Sequence, residues 1–153
     1  MRGEEEQAIV HFTSARDTFK GRGQRMYAAQ CTLSLGIIQL DQDNLPAAES
    51  ELQSAMSEFE ALGDLWGAAQ CREYLGDVRI RQGDYDSAEK LLVSAQEVYV
   101  QLGAQSSLAD CHWSFGTLYR DQGRTLEAIE SFEAARNIYG LVGYQDWVAK
   151  CSS

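Results

Sequence analysis

A chain of 153 residues is long enough for one domain with a substantial core, and its 44% hydrophobic and 24% charged residues exclude a disordered polymer. Acidic residues outnumber basic ones 23 to 13, a formal net charge of −10, which argues against nucleic acid or an anionic membrane as partner. No stretch is apolar and long enough to span a bilayer.

Apolar residues recur at helical spacing along the whole chain and predict helices near 4–20, 24–42, 45–62, 64–82, 85–102, 104–122, 125–142 and 144–151, with no strand. The first run carries Ala8, Phe12 and Ala15. The next three pairs of runs lie over one another as units 24–63, 64–103 and 104–143. In each, a first helix (helix A) holds AAQC, AAQC or LADC and a central glycine, Gly36, Gly76 or Gly116. A second helix (helix B) follows, with Ala48 and Ala55, Ala88 and Ala95, or Ala128 and Ala135 flanking Leu52, Leu92 or Phe132. Gly83 and Gly123 stand where helix A must end and the chain reverse, a place for a left-handed conformation. Asp43 and Asn44 take that place in the first unit. A glycine in mid-helix costs about 1 kcal/mol against alanine, so the helix A glycines need a packing reason, which the small faces of helix B are expected to supply.

The repeat is forty residues long. Gly23, Gly63, Gly103 and Gly143 keep it, as do Phe19, Phe59, Tyr99 and Tyr139, and Ala15, Ala55, Ala95 and Ala135. Cys31, Cys71, Cys111 and Cys151 keep it too. Equivalent residues in adjacent stacked units lie about 10 Å apart, whereas a disulfide needs Cα atoms within about 7 Å. The cysteines are therefore expected to be reduced and mostly buried, a ladder of small core residues and not a zinc site. In this register the chain, 1–153, is a single array: 4–20 is a helix B without its helix A, and 144–153 starts a helix A and stops. It is expected to be a fragment of a longer array, with Ile9, Phe12 and Phe19 half covered at one end and Trp147 and Val148 open at the other. Such ends favour a homo-oligomer. Glu4, Glu5 and Glu6 stand where a signal peptide would be basic and then apolar, so a cytoplasmic location is expected.

Leu-Gly or Phe-Gly in helix A, glycine at the turn, then Ala, a large apolar residue and Ala resembles the tetratricopeptide repeat. Leu75, Gly76, Gly83, Tyr85, Ala88, Leu92 and Ala95 carry the signature most fully. The usual unit has about 34 residues. The six extra residues here resemble the longer-helix variant, and the run LGDVRIRQGDYDSAEKLL is similar to arrays in fungal and bacterial multidomain signalling proteins. Tyr119 keeps a tyrosine common in the family where Gln39 and Arg79 do not. HEAT-type repeats are the structural alternative, which the Gly/Ala pattern disfavours. The resemblance implies an all-α, right-handed superhelical solenoid of antiparallel helix hairpins. It also implies a protein-binding scaffold whose concave wall is lined by helix A.

Helical spacing places one stripe on that wall: Gln30, Leu33, Ile37 and Leu40, then Gln70, Glu73, Asp77 and Ile80, then Asp110, Trp113, Thr117 and Arg120. Chaperone-binding members of the family clamp a C-terminal carboxylate with Lys, Asn and Arg. Here Leu33 and Ile37 occupy the first Lys and Asn places, and Glu73 and Asp77 add negative charge. The face therefore suits a protein or peptide segment, extended or helical, with apolar anchors and basic residues. His11 and His112 make no catalytic arrangement with Ser, Cys or Asp by spacing, and no phosphate-binding loop is present. No enzyme activity, no cofactor and no metal is expected. The alternative function is a regulatory or self-assembly array of a multidomain receptor-type NTPase.

Overall fold

The structure is a computed structural model that describes residues 2–152, apart from the side chains of Trp147 and Ser152. The expectation that Trp147 stands open therefore lies outside the described side chains. Seven helices and no strand occur among the described residues: α1 (Arg2–Gly21), α2 (Arg25–Asp41), α3 (Leu45–Ala61), α4 (Leu65–Arg81), α5 (Tyr85–Leu102), α6 (Gln105–Asp121) and α7 (Thr125–Ser152). Helices α2, α4 and α6 are the A helices and α3, α5 and α7 the B helices of successive units. Each helix packs on its sequence neighbours, and consecutive A helices also touch, α2 with α4 and α4 with α6. This is the all-α solenoid expected from the sequence.

One turn is used six times. The chain passes through a left-handed residue at Gly23, Asp43, Gly63, Gly83, Gly103 and Gly123, with φ between 58° and 77°. The next amide donates to a carbonyl five residues back: Gln24 to Phe19, Asn44 to Gln39, Asp64 to Phe59, Asp84 to Arg79, Ala104 to Tyr99 and Arg124 to Tyr119, at 2.8–3.0 Å. These bonds satisfy carbonyls that a helix end would otherwise leave bare. Asp43 fills the glycine's place in the first unit because Asp tolerates that conformation. Asp64 and Asp84 then cap the following helices by accepting from Gly67 and Ser87 amides at 2.9 and 3.3 Å.

The core lies in two clusters, one around Leu52 and Phe59 and one around Leu92 and Tyr99. Leu52, Leu92, Ala48, Ala55, Ala88 and Ala95 are all fully buried. The helix A glycines owe their place to the large residue of helix B and not to the alanines. A Cβ at Gly36 would lie 2.8 Å from Leu52, one at Gly76 2.9 Å from Leu92, and one at Gly116 2.6 Å from the Phe132 ring. The glycine lets a large side chain lie directly on the backbone of its own unit's A helix.

Two expectations are corrected at the C-terminal end. Residues 125–152 form one unbroken helix, with no turn at Gly143 and no separate eighth helix among the described residues. In the earlier units the returning helix is held between two B helices. Residues 144–151 have α7 before them but no second B helix in this chain, so little rewards the reversal and helical continuation wins. The same difference exposes Cys151, whereas Cys31, Cys71 and Cys111 are buried and all four are free. At the other end α1 buries no residue fully, and Ile9, Phe12 and Phe19 are half-buried as expected.

Candidate functional site

The helix A stripe is narrower than the sequence suggests. Gln30, Asp110, Trp113 and Arg120 are exposed, and Ile37, Gln70, Asp77 and Thr117 are half-buried. Leu33, Leu40, Glu73 and Ile80 are buried at 8%, 3%, 5% and 3% exposure and are core residues, not part of an open wall. The reason is the next A helix. The Arg81 guanidinium of α4 donates to the Leu40 carbonyl at 2.6 Å, and Ile80 packs in one cluster with Phe115 and Leu118 of α6. Trp113 and Arg120 occupy the same places in the last unit and stay exposed because no further A helix lies over α6 in this chain.

Glu73 is held by a partner the sequence reading missed. The Tyr99 hydroxyl of α5 donates to Glu73 Oε1 at 3.0 Å. A tyrosine hydroxyl supplies the donor that a buried carboxyl requires. The signal was present in the repeat: Leu33 and Phe59 are the equivalent pair one unit earlier, and the ring gains its hydroxyl in the unit where leucine becomes glutamate. In the last unit the place of Glu73 is taken by Trp113, and the Tyr139 hydroxyl donates instead to Asp110, which stands in the place of Gln70.

These acids share one region between α4 and α6. Burial, and then the nearby Asp77 and Asp110 carboxylates, push Glu73 up to about 8, partly offset by the Tyr99 bond. Burial also raises Asp77, to about 6, against the Ser114 hydrogen bond and Arg81, which favour its charged form. Burial thus favours the neutral form of the Glu73 carboxyl. The Tyr74 phenol is raised to about 12 and that of Tyr99 still further, first by burial and then by these carboxylates. The charge presented on this face comes from Asp77, Asp110 and Asp121, with Arg81 and Arg120 beside them, and Arg120 donates to Asp121 at 3.3 Å.

Here the face dips into a cleft of about 300 Å³, bounded by Asp77 and Arg81 on α4 and by Trp113, Thr117 and Arg120 on α6. The Trp113 ring is 55% exposed and meets Phe132 edge-on, with centroids 4.7 Å apart. A larger hollow of about 640 Å³ lies over Asp86, Glu89, Val93 and Glu97, but one helix alone lines it and nothing converges there. Among the described residues no group of three or more His, Cys, Asp or Glu could hold a metal ion, and no helix is long and apolar enough to cross a membrane. The arrangement offers an aromatic surface flanked by both signs of charge, which suits contact with a polypeptide.

Residues 67–140 match the family model of the tetratricopeptide repeat. The chain is also similar in structure to BtubC (BKLC) from P. vanneervenii, with a TM-score of 0.73 at 18% sequence identity over 92% of this chain. It spans 59% of the length of that protein, and a likeness at this identity is one of fold. No curated protein matches the sequence.

Proposed function

The chain carries tetratricopeptide repeats, whose arrays mediate protein–protein interaction, and on that premise we propose that it is a non-enzymatic scaffold binding an extended or helical segment of a partner protein along its helix A face. The observation that carries this reading is the cleft between α4 and α6, where the exposed Trp113 ring stands within reach of Asp77, Arg81 and Arg120. Aromatic and arginine side chains contribute most at protein interfaces, because they desolvate a large area and still offer polar contacts. Ile37 and Gln70 extend the same face toward α2. The partner segment has an apolar anchor for Trp113 and basic groups for Asp77 and Asp110. The free, buried thiols of Cys31, Cys71 and Cys111 suit a reducing, cytoplasmic setting.

Selection of a displayed random-peptide library against the chain, followed by calorimetry of the enriched peptides, tests this. Enrichment of peptides that combine an aromatic or aliphatic anchor with Lys or Arg is expected. Trp113→Ala should weaken them by about tenfold or more with an unchanged melting temperature. Enriched peptides whose affinity is indifferent to Trp113→Ala and to Asp77→Asn would place binding elsewhere.

A further inference from the structure

The helix A face has places that stay open between packed A helices and places that do not. Helix α4 touches an A helix on each side, α2 and α6, and its Glu73 and Ile80 are buried. Trp66, at the start of the same helix, is left 43% exposed, and Gln70 one turn on is half-buried. The equivalent residues of α6 are Ser106 and Asp110, both exposed. The accessibility of Trp66 is thus set inside the stack, with both neighbouring A helices in place.

The ring is also fixed in place. Its indole N–H donates to the Ser107 hydroxyl of α6 at 3.0 Å. This bond ties the ring across the α4–α6 junction and engages its one polar atom, so what remains for a partner is the exposed π surface. One junction earlier the two places hold Met26 and Gly67, which make no such pair. Asp110 follows Ser107 by three residues on α6, a spacing that sets side chains about 5–6 Å apart on one helix face. Its carboxylate is exposed and accepts from the Tyr139 hydroxyl, which leaves further acceptor positions. Asp110 also lies near enough to Asp77 to act on it electrostatically, so the junction is negative beside the ring. An exposed indole next to a carboxylate is the chemistry of a planar cation. A guanidinium stacks on the ring and turns its N–H groups to the carboxylate at the same time, whereas an ammonium has no flat face to stack.

We propose that Trp66 and Asp110 form a seat for one arginine side chain of the partner protein, with the guanidinium stacked on the indole and donating to the Asp110 carboxylate. The proposal rests on the helix A face as the place where the partner lies, and it specifies a residue that this face reads. The ring is held by Ser107 before the partner arrives, so no rotamer has to be fixed on binding. Its readout is at Trp66, whereas the scaffold reading is tested at Trp113 and Asp77, so the two can fail separately.

The test titrates the full chain with the blocked tripeptide acetyl-Gly-Arg-Gly-amide and with its lysine and citrulline counterparts. The indole N–H resonance of Trp66 is followed by NMR and assigned by its loss in Trp66→Met. Methionine stands at the equivalent place of α2, so this variant keeps the fold, which circular dichroism checks. The arginine peptide should shift the Trp66 resonance along a saturating curve. The lysine peptide should bind several-fold more weakly, and citrulline, which keeps the shape and loses the charge, should leave the resonance unmoved. Asp110→Asn should weaken the arginine peptide by about threefold to tenfold. A Trp66 resonance indifferent to the arginine peptide, an equal response to citrulline, or undiminished binding in Asp110→Asn would overturn the proposal. So would a shift confined to the Trp113 resonance, because that puts the guanidinium in the cleft and not on Trp66.

Discussion

The middle unit, α4 with α5, and the last, α6 with α7, are built on the same repeat but do not bury the same residues. Tyr99 is fully buried and Tyr139 is 41% exposed. Ile80 is core and Arg120 is exposed. The difference lies in the neighbours. The middle unit has an A helix on each side of its own, and the last has one on a single side. In a stacked array each unit contacts only its neighbours, so burial belongs to a position in the stack and not to a residue type. Trp113 is exposed for this reason, at a position where Leu33 and Glu73 are core.

The largest expected effect separates the two tyrosines. Tyr99→Ala should cost about 3–5 kcal/mol in urea denaturation, since it removes a fully buried ring and leaves the Glu73 carboxyl without its donor. Tyr139→Ala should cost about 1 kcal/mol or less, as its ring is partly solvated and Asp110 is exposed. Similar costs at the two sites would mean that the end unit is as well packed as the middle one, and the comparison would fail.

The same contrast explains what the sequence made legible. The forty-residue period, the helices and the left-handed turns could be read because each unit repeats the same local chemistry, down to Asp43 in the place of a glycine. The stripe is narrower than spacing implies. Helical spacing says which residues share a face, but not how far the next A helix covers it, and Leu33, Leu40, Glu73 and Ile80 are covered. The Glu73–Tyr99 bond joins residues 26 positions apart on different helices, and only comparison with Leu33 and Phe59 one unit earlier reveals it. At Gly143 the repeat register itself misled, because the turn depends on a second helix for the returning segment to pack against.

A smaller effect sharpens the comparison through pH. Glu73 titrates near 4.5 when unfolded and is raised to about 8 in the folded chain, chiefly by burial. The native state holds this proton more tightly than the unfolded one. Its contribution is therefore complete below the ordinary carboxylate range and is lost as pH rises through about 8. Asp77, raised from 3.8 to about 6, acts in the same direction over a lower window. Glu73→Gln keeps an acceptor for the Tyr99 hydroxyl and removes the ionisation. It should stabilise the chain at pH 8 by on the order of 1–3 kcal/mol, with little change at pH 4, and flatten the stability profile between them. A variant less stable at pH 8, or one that keeps the slope, would show that Glu73 is charged and compensated in the fold.

The smallest effect is a reversal of sign at one repeat position. Gly63 and Gly143 are equivalent in register, and a Cβ at either would meet nothing within 4 Å, so backbone conformation alone decides what alanine does. Gly63 turns the chain with a φ of +72°. There Ala must adopt a left-handed conformation that its Cβ disfavours, and Gly63→Ala should destabilise by about 1 kcal/mol. Gly143 lies inside α7 with no positive φ. There Ala restores helix propensity and restricts the unfolded chain, so Gly143→Ala should stabilise by up to about 1 kcal/mol. Urea denaturation of both variants in dilute protein reads the two signs against the same reference. If Gly143→Ala destabilises as Gly63→Ala does, the chain turns at Gly143 in solution, residues 144–151 return over α7, and the last unit is closed as the middle one is.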